Sequence, residues 1–375
     1  MVASDSYKGC LTSAEANTLI ETGIHQYNPD FEVVKYTIGD GGEGTMEAFL
    51  HTCHGELKKV IVHDAYFKEM EAAYCLIENG NTAVMDVAEV VGLERYKREE
   101  RRPLYATSYG IGEMILDADA QGAKKIIVGL GGSCTNDGGV GLLNALGVKF
   151  YDEQGKYLKT SAASLPYIKR VDFKGMKDLS KIEFIAACDV SNHLLGSEGA
   201  TYTYGKQKGL DRKQMAKTEQ GMVNYVKVMR DCGYELDEPE GSGAAGGLGA
   251  VLIGVLKGKM RPGLALLFEY NNFEQDLKDC DLCISGEGQS DRQTLYGKVP
   301  FGVLEVCKRN NVPCICLSGA LGLDYRKLYE AGFIGVYSIA DRSMSFTTAL
   351  SCASEKLVNA SFGLINTIDY FRRKQ

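Results

Sequence analysis

Glycine-rich turns recur at one kind of place in this chain, directly after short apolar runs. Residues 33–38 run into Gly39-Asp40-Gly41-Gly42-Glu43-Gly44, and residues 126–130 into Gly131-Gly132-Ser133-Cys134-Thr135-Asn136-Asp137-Gly138-Gly139. Residues 282–285 run into Gly286-Glu287-Gly288, residues 184–188 end at Asp189, and the short opening 1–4 reaches Asp5-Ser6-Tyr7-Lys8-Gly9. Glycine makes up 44 of the 375 residues, well above the usual share of about 7%. Proline is scarce at seven. Without a collagen-like period, the excess glycine belongs to tight backbone turns rather than to linkers.

The apolar runs at 33–38, 82–87, 125–130, 183–187, 282–285, 313–318 and 333–339 read as strands. Helical periodicity covers 13–26, 107–120, 138–146, 212–232, 246–256, 299–310 and 346–371. Strand-like and helical segments in alternation predict βαβ units and a mostly parallel, doubly wound sheet. The middle differs. Residues 56–62 and 69–78 look like paired strands, and 148–157 holds Asp152-Glu153-Gln154-Gly155, a hairpin-type turn. The expectation is an α/β protein in which 1–65 and 285–375 form a discontinuous domain and 66–284 an inserted one. The stretch 237–243 (Asp-Glu-Pro-Glu-Gly-Ser-Gly) reads as an exposed hinge or mobile loop.

A net charge of −7 argues against a general nucleic-acid surface. It does not exclude a small anionic ligand in a local pocket. The longest uncharged run, 241–256, contains six glycines and is too short for a membrane span. No leader is expected from Met1-Val2-Ala3-Ser4-Asp5. Twelve scattered cysteines in a chain with room for a full core predict reduced thiols and a cytoplasmic location. Cys280-Asp281-Leu282-Cys283 is a single CxxC, Cys314-Ile315-Cys316 alternates as strand residues do, and His51-Thr52-Cys53-His54 has no partner cluster. No structural zinc is expected from these spacings.

In an open parallel sheet, ligands bind beyond the carboxyl ends of the strands. Glycine there lets backbone N–H groups approach an anion, and a following helix N-terminus adds partial positive charge. Carboxylates in the same loops would repel a phosphate, and Mg²⁺ resolves that conflict by binding both. Amide cradles, acids and lysines together suit phosphoryl transfer. The chain has no GxxxxGK[ST] and no strand-turn-helix GxSxG. Its GxGxxG at Gly241, Gly243 and Gly246 follows an acidic loop rather than a strand. A nicotinamide-dependent dehydrogenase of small hydroxy acids and a non-catalytic anion-binding protein are the competing classes, both less well supported.

These motifs resemble the type I glycerate kinases, the bacterial glycerate 2-kinase family, in blocks from Ser4 to beyond Ser338. Asp5-Ser6-Tyr7-Lys8-Gly9 is similar to that family's DSFKG, and Asp40-Gly41-Gly42-Glu43-Gly44-Thr45 to its DGGEGT. Ser108-Tyr109-Gly110-Ile111-Gly112-Glu113 is similar to SYGVGE, and the block 129–139 to GLGGSATNDGG. Cys188-Asp189-Val190, Gln207-Lys208-Gly209, Gly243-Ala244-Ala245-Gly246-Gly247-Leu248-Gly249 and Gly286-Glu287-Gly288 follow in order, the last with Asp291, Gln293-Thr294 and Gly297-Lys298. The resemblance implies phosphorylation of D-glycerate by ATP, with 2-phosphoglycerate the favoured product. It also implies a flavodoxin-like α/β domain interrupted by a second α/β domain, with the active site in the cleft between them. Where the family has an arginine after Gly-Glu-Gly, this chain has Gln289, with Arg292 three residues on.

Asp189 is the first choice for the general base or a metal ligand. Glu287 and Asp291 are metal candidates presented by one short loop; Asp40 and Glu43 either bind metal or brace their own loop. Lys8 and Lys298 are expected to meet phosphate or carboxylate oxygens, and Lys208 to reach the transferring group. Asp5, Ser6, Gly41, Gly42, Gly131, Gly132, Ser133, Thr135, Asn136 and Asp137 are expected to line the phosphate and substrate sites. Gly246, Gly247, Gly286, Gly288, Arg292 and Thr294 complete that set. The implied small-molecule partners are glycerate and ATP with Mg²⁺, with neither nucleic acid nor membrane; the oligomeric state stays open.

Overall fold

A computed structural model describes residues 1–39, 41–42 and 44–374. The chain divides into two compact units, a continuous one, Gly41–Gly263, and a discontinuous one, Met1–Asp40 with Leu264–Gln375. The architecture is α/β with mostly parallel pairing, as the alternation of apolar runs and helical periods predicts. The sequence reading placed the domain joints at 65/66 and 284/285. Residues 56–63 fall in the continuous unit because their ladder partner is 69–77.

The continuous unit is built on a six-stranded sheet of β1 (Glu56–His63), β2 (Glu69–Ile77), β3 (Thr82–Asp86), β4 (Lys125–Gly129), β7 (Glu183–Ala187) and β8 (Lys259–Arg261), in that order. The first three strands pair antiparallel and the rest parallel. β5 (Lys149–Tyr151) and β6 (Arg170–Asp172) form a separate ribbon. The expected turn after β5 is present, closed by Asp152 N–H donating to the Lys156 carbonyl, but the ladder partner of β5 is the later β6. Central strands β3 and β4 are apolar on both faces and almost wholly buried, the mark of a parallel sheet covered on both sides. Ile111, Met114 and Ile115 of helix Tyr109–Ala120 and Met222, Tyr225 and Met229 of helix Arg212–Asp231 share one buried core with them.

The discontinuous unit has three parallel strands, β9 (Cys283–Ser290), β10 (Cys314–Leu321) and β11 (Gly335–Ser338), in the order β11-β10-β9. Val2 makes parallel bridges to Ile284 and Lys35. The strand expected at 33–38 is therefore reduced to one bridge, held by Val2 N–H on the Val34 carbonyl and Tyr36 N–H on the Val2 carbonyl. Helix Ser13–Tyr27 satisfies the remaining backbone there. Asn17 accepts from Ser4 N–H and donates to the Tyr36 carbonyl, while Ser13 Oγ donates to the Ser4 carbonyl and accepts from Ile38 N–H. Thr12 and Glu15 close a capping box at the start of this helix, worth about 1 kcal/mol.

Two more expectations are corrected. The single helix at 346–371 is two helices, Phe346–Ser351 and Ala353–Arg372, broken at Cys352. The stretch 237–243 is not a free hinge. Ser242 is fully buried and its Oγ accepts from Leu194 N–H, while Asp237 accepts from Leu195 N–H. Among the described residues, no helix is long and apolar enough to cross a membrane.

Candidate active site

In the continuous unit, β4 and β7 lie side by side in parallel with Gly129 opposite Ala187, so their following loops leave the sheet together. The backbone at Gly41 is seated on both strand ends: Leu130 N–H donates to the carbonyls of Gly41 and Ala187. Gly42 accepts from Thr45 through its carbonyl. The loop after β4 is fixed by Leu93 N–H on the Gly132 carbonyl and Cys134 N–H on the Val91 carbonyl, which leaves Gly131 half-buried beside it. Gly246 and Gly247 press on the far side of this loop, where Gly138 N–H donates to the Gly246 carbonyl. A Cβ on Gly246 would lie 2.2 Å from the Thr135 carbonyl oxygen, and its φ of +70° already favours glycine.

Lys208, expected to reach the transferring group, belongs to this group. It ends helix Ala200–Lys208 and is only 3% exposed. Its Nζ donates to Ser133 Oγ at 3.1 Å and to the Thr135 carbonyl at 2.6 Å. Among the described residues, no carboxylate lies within ion-pair distance of it, and burial brings its pKa down to about 8. Beside it, Asn136 Nδ2 donates to Thr201 Oγ1 at 3.2 Å. Asn136 Oδ1 and Thr135 Oγ1 are buried and find no partner among the described residues. Such groups cost free energy until something bonds them. A buried ammonium without a counter-ion beside unsatisfied polar atoms is an arrangement that an anionic, hydrogen-bonding ligand completes.

Asp137 does a different job from the one its motif suggested. Fully buried, its carboxylate accepts from Ser108 N–H, Ser108 Oγ, Gly139 N–H and Gly141 N–H. It locks the start of helix Val140–Ala145 to the start of helix Tyr109–Ala120, and burial raises its pKa despite these donors. Asp189 lies two residues beyond β7 on an exposed stretch.

The discontinuous unit holds the other group. A cleft of about 390 Å³ has Asp5, Ser6, Lys8, Glu287, Gly288 and Lys298 on its polar side. Its apolar side is formed by Ile339, Met344, Phe346 and Leu350. Asp5 N–H donates to the Gly286 carbonyl, and Asp5 Oδ1 accepts from Ser6 N–H. The sequence reading took Gly286-Glu287-Gly288 for a loop after a strand. They are inside β9 instead. A side chain at Gly286 has no room, since its Cβ would fall 2.0 Å from the Leu317 carbonyl oxygen and 2.8 Å from the Tyr7 hydroxyl.

Glu287, 4% exposed, is held from three sides. Ser290 Oγ and Thr294 Oγ1 donate to Oε1 at 2.9 and 2.6 Å, and Lys298 Nζ to Oε2 at 2.9 Å. Asp291 caps the turn Arg292–Leu295 by accepting from Gln293 N–H, and also accepts from Gln289 Nε2. Neither carboxylate fits the metal role expected of it: Glu287 is matched to an ammonium, and Asp291 is spent on its own turn. Asp40 and Glu43, the other two metal candidates, lie outside the described residues. Arg292 is exposed and donates to the Tyr296 hydroxyl.

Sequence reasoning missed Thr201, Ser290 and Ser318. Ser290 Oγ and Ser318 Oγ, 2.6 Å apart, extend the network behind Glu287. It also missed Asp86, which ends β3 as Asp189 follows β7 and accepts from Gly44 N–H and Met46 N–H. The same strand-end position was the signal that would have found Asp86. A second depression of about 410 Å³ is lined by Arg98, Arg101, Thr203, Lys206 and Gln207, of which only Gln207 lies in a motif read from the sequence.

A model of the glycerate kinase family matches residues 1–369. The chain is 38% identical over 359 residues to a glycerate kinase of Bacillus cereus (strain ATCC 10987 / NRS 248), covering 95% of this chain and 94% of the other. It is 34% identical over 370 residues to the glycerate 2-kinase of Escherichia coli (strain K12), covering 98% and 97%. Among solved structures, it is similar to a protein from Salmonella typhimurium LT2 assigned as a glycerate kinase 2. The TM-score is 0.83 at 34% identity, over 99% of this chain and 98% of that one.

Proposed function

The chain belongs to the glycerate kinase family, and from that premise we propose that it transfers the γ-phosphoryl group of ATP to D-glycerate, giving 2-phosphoglycerate. The observation that carries the reading is Lys208. Its ammonium is already desolvated and aimed by Ser133 and Thr135, with no carboxylate among the described residues to neutralise it. Phosphoryl transfer needs such fixed positive charge, since catalysis is mostly positioning and charge stabilisation. The Ser133–Asn136 loop supplies further hydrogen-bonding groups that a phosphoryl oxygen would satisfy.

In this reading Asp189 accepts the proton of the attacking hydroxyl. Its place just past β7, next to the loop after β4, supports that role. Lys8 meets carboxylate or phosphate oxygens of the substrates, while Lys298, paired with Glu287, acts mainly by holding that carboxylate in place. Asp5 and Ser6 hold substrate oxygens beside Lys8. The apolar side of the cleft at Ile339, Met344 and Phe346 suits a nucleotide base. Mg²⁺ on the nucleotide supplies charge neutralisation; no step is assigned to it through Glu287 or Asp291. The twelve free cysteines accord with a reducing, cytoplasmic setting.

The test is ADP release with ATP, Mg²⁺ and D-glycerate, followed by separation of 2- from 3-phosphoglycerate. Turnover to 2-phosphoglycerate is expected. Oxidation or reduction of a nicotinamide with the same acid, or no turnover with any hydroxy acid, would sink the proposal. A 3-phosphoglycerate product would leave the kinase and remove the regiochemistry.

A further inference from the structure

The spacing of the cysteines gives no hint of a metal site, yet the fold of the discontinuous unit brings three of them together. Cys283 and Cys314 are the first residues of β9 and β10 and face each other in register across the parallel pair. Cys307 comes from the last turns of helix Val299–Arg309, which packs on both strands. The three Sγ atoms lie within 4.8 Å of one another, and the residues are at most 1% exposed. None of them belongs to the cleft described above.

We propose that Cys283, Cys307 and Cys314 form a three-thiolate site for a single thiophilic divalent cation of the zinc–cadmium type. Metal–sulfur bonds of about 2.3 Å place the sulfurs about 3.8 to 4.0 Å apart, for tetrahedral and trigonal geometry respectively. From an upper limit of 4.8 Å, the site needs a contraction of less than about 1 Å. Small rotations about χ1 supply that without moving the strands. The donor set is soft sulfur alone, which selects against Mg²⁺ and Ca²⁺. Binding converts three thiols to thiolates and releases their protons. With the sulfurs buried, uptake is timed by local opening. The site is independent of the kinase reading.

The test uses the reduced, metal-free full chain incubated with Cd²⁺ and then exposed to a competing chelator. One Cd²⁺ per chain should remain, with thiolate-to-cadmium charge-transfer absorption and a raised melting temperature. Cys307→Ser and Cys314→Ser should each weaken retention by at least about 100-fold, more than a lost supporting contact costs. Cys232→Ser and Cys53→Ser, which change cysteines outside the trio, should leave retention unchanged. If the serine variants fail to fold, anomalous scattering from Cd²⁺-soaked crystals of the unaltered protein decides. A peak among the three sulfurs upholds the site. A peak elsewhere, no retained Cd²⁺, or undiminished retention in the folded variants overturns it.

Discussion

Replacing Lys208 with methionine separates the binding role of the ammonium from any structural one. The residue is 3% exposed, and burial lowers its pKa from an ordinary 10.5 to about 8. That drop corresponds to about 3 kcal/mol held against the charged form in the folded chain. Methionine keeps the length and apolar stem and removes this penalty. It also strands Ser133 Oγ and the Thr135 carbonyl, which lose their donor at a cost of about 1–3 kcal/mol. The two effects nearly cancel, so the ligand-free variant should unfold within about 2 kcal/mol of the unaltered protein.

Catalysis has no such cancellation. A fixed cation on a phosphoryl oxygen is worth about 3–4 kcal/mol in the transition state, so kcat/KM should fall by about 10²–10³. The pH dependence gives an internal check. Between pH 8 and 10.5 the unfolded chain binds the proton and the folded one does not, so this group makes stability rise with pH through that window. Anion affinity should move the opposite way, declining as pH climbs past 8 and the ammonium is lost. Chemical denaturation at several pH values, beside steady-state kinetics, measures both. Lys208→Met with kcat/KM within fivefold of normal, or a variant as steep in its pH–stability profile as the original, would refute the reasoning.

Asp189→Asn should lower kcat by at least about 10² with the fold intact; near-normal turnover in a folded variant would reject it as the base. Gly246→Ala should cost more than about 2 kcal/mol, because its Cβ would meet the Thr135 carbonyl at 2.2 Å at a positive φ. Equal denaturation midpoints for variant and parent would contradict the close approach. Glu287→Gln should weaken the fold by about 1–3 kcal/mol through the loss of its ion pair with Lys298. The Mg²⁺ concentration for half-maximal activity should stay the same, and a several-fold increase would restore Glu287 as a metal ligand.

The legible part of the molecule was whatever depends on neighbours in sequence. Strands β3, β4 and β7 and helices Ser13–Tyr27 and Arg212–Asp231 follow from local apolar period and caps, and match expectation to within a residue or two. The loop after β4 likewise begins where its glycines place it. What stayed hidden depends on what the chain meets elsewhere. Lys208 is singled out by its Gln-Lys-Gly motif, but its burial is not, because only helix Ala200–Lys208 folding against the Ser133–Thr135 loop buries it. Gly286 reads as a turn residue, because nothing local reveals that Tyr7 and Leu317 occupy the space of its side chain. Cys283, Cys307 and Cys314 are separated by 23 and 6 residues, and only strand register and the packing of helix Val299–Arg309 on the strands make them neighbours.

Two of the three candidate lysines, Lys298 and Lys208, are treated oppositely, and the contrast says what each is for. Lys298 is matched at 2.9 Å to Glu287 and remains over a third exposed, so its charge is compensated within the fold. An incoming anion gains little from a cation already paired, because it must compete with a carboxylate held by Ser290 and Thr294. Among the described residues Lys208 is buried with only a hydroxyl and a carbonyl, at a standing cost in stability. Local violations of this kind are expected at functional sites. The gain appears when a phosphoryl oxygen arrives, for the desolvation of the ammonium has been met in advance and does not oppose binding. Lys208 should therefore dominate the kinetic effect on phosphoryl transfer, and Lys298 should act mainly by holding Glu287 in place.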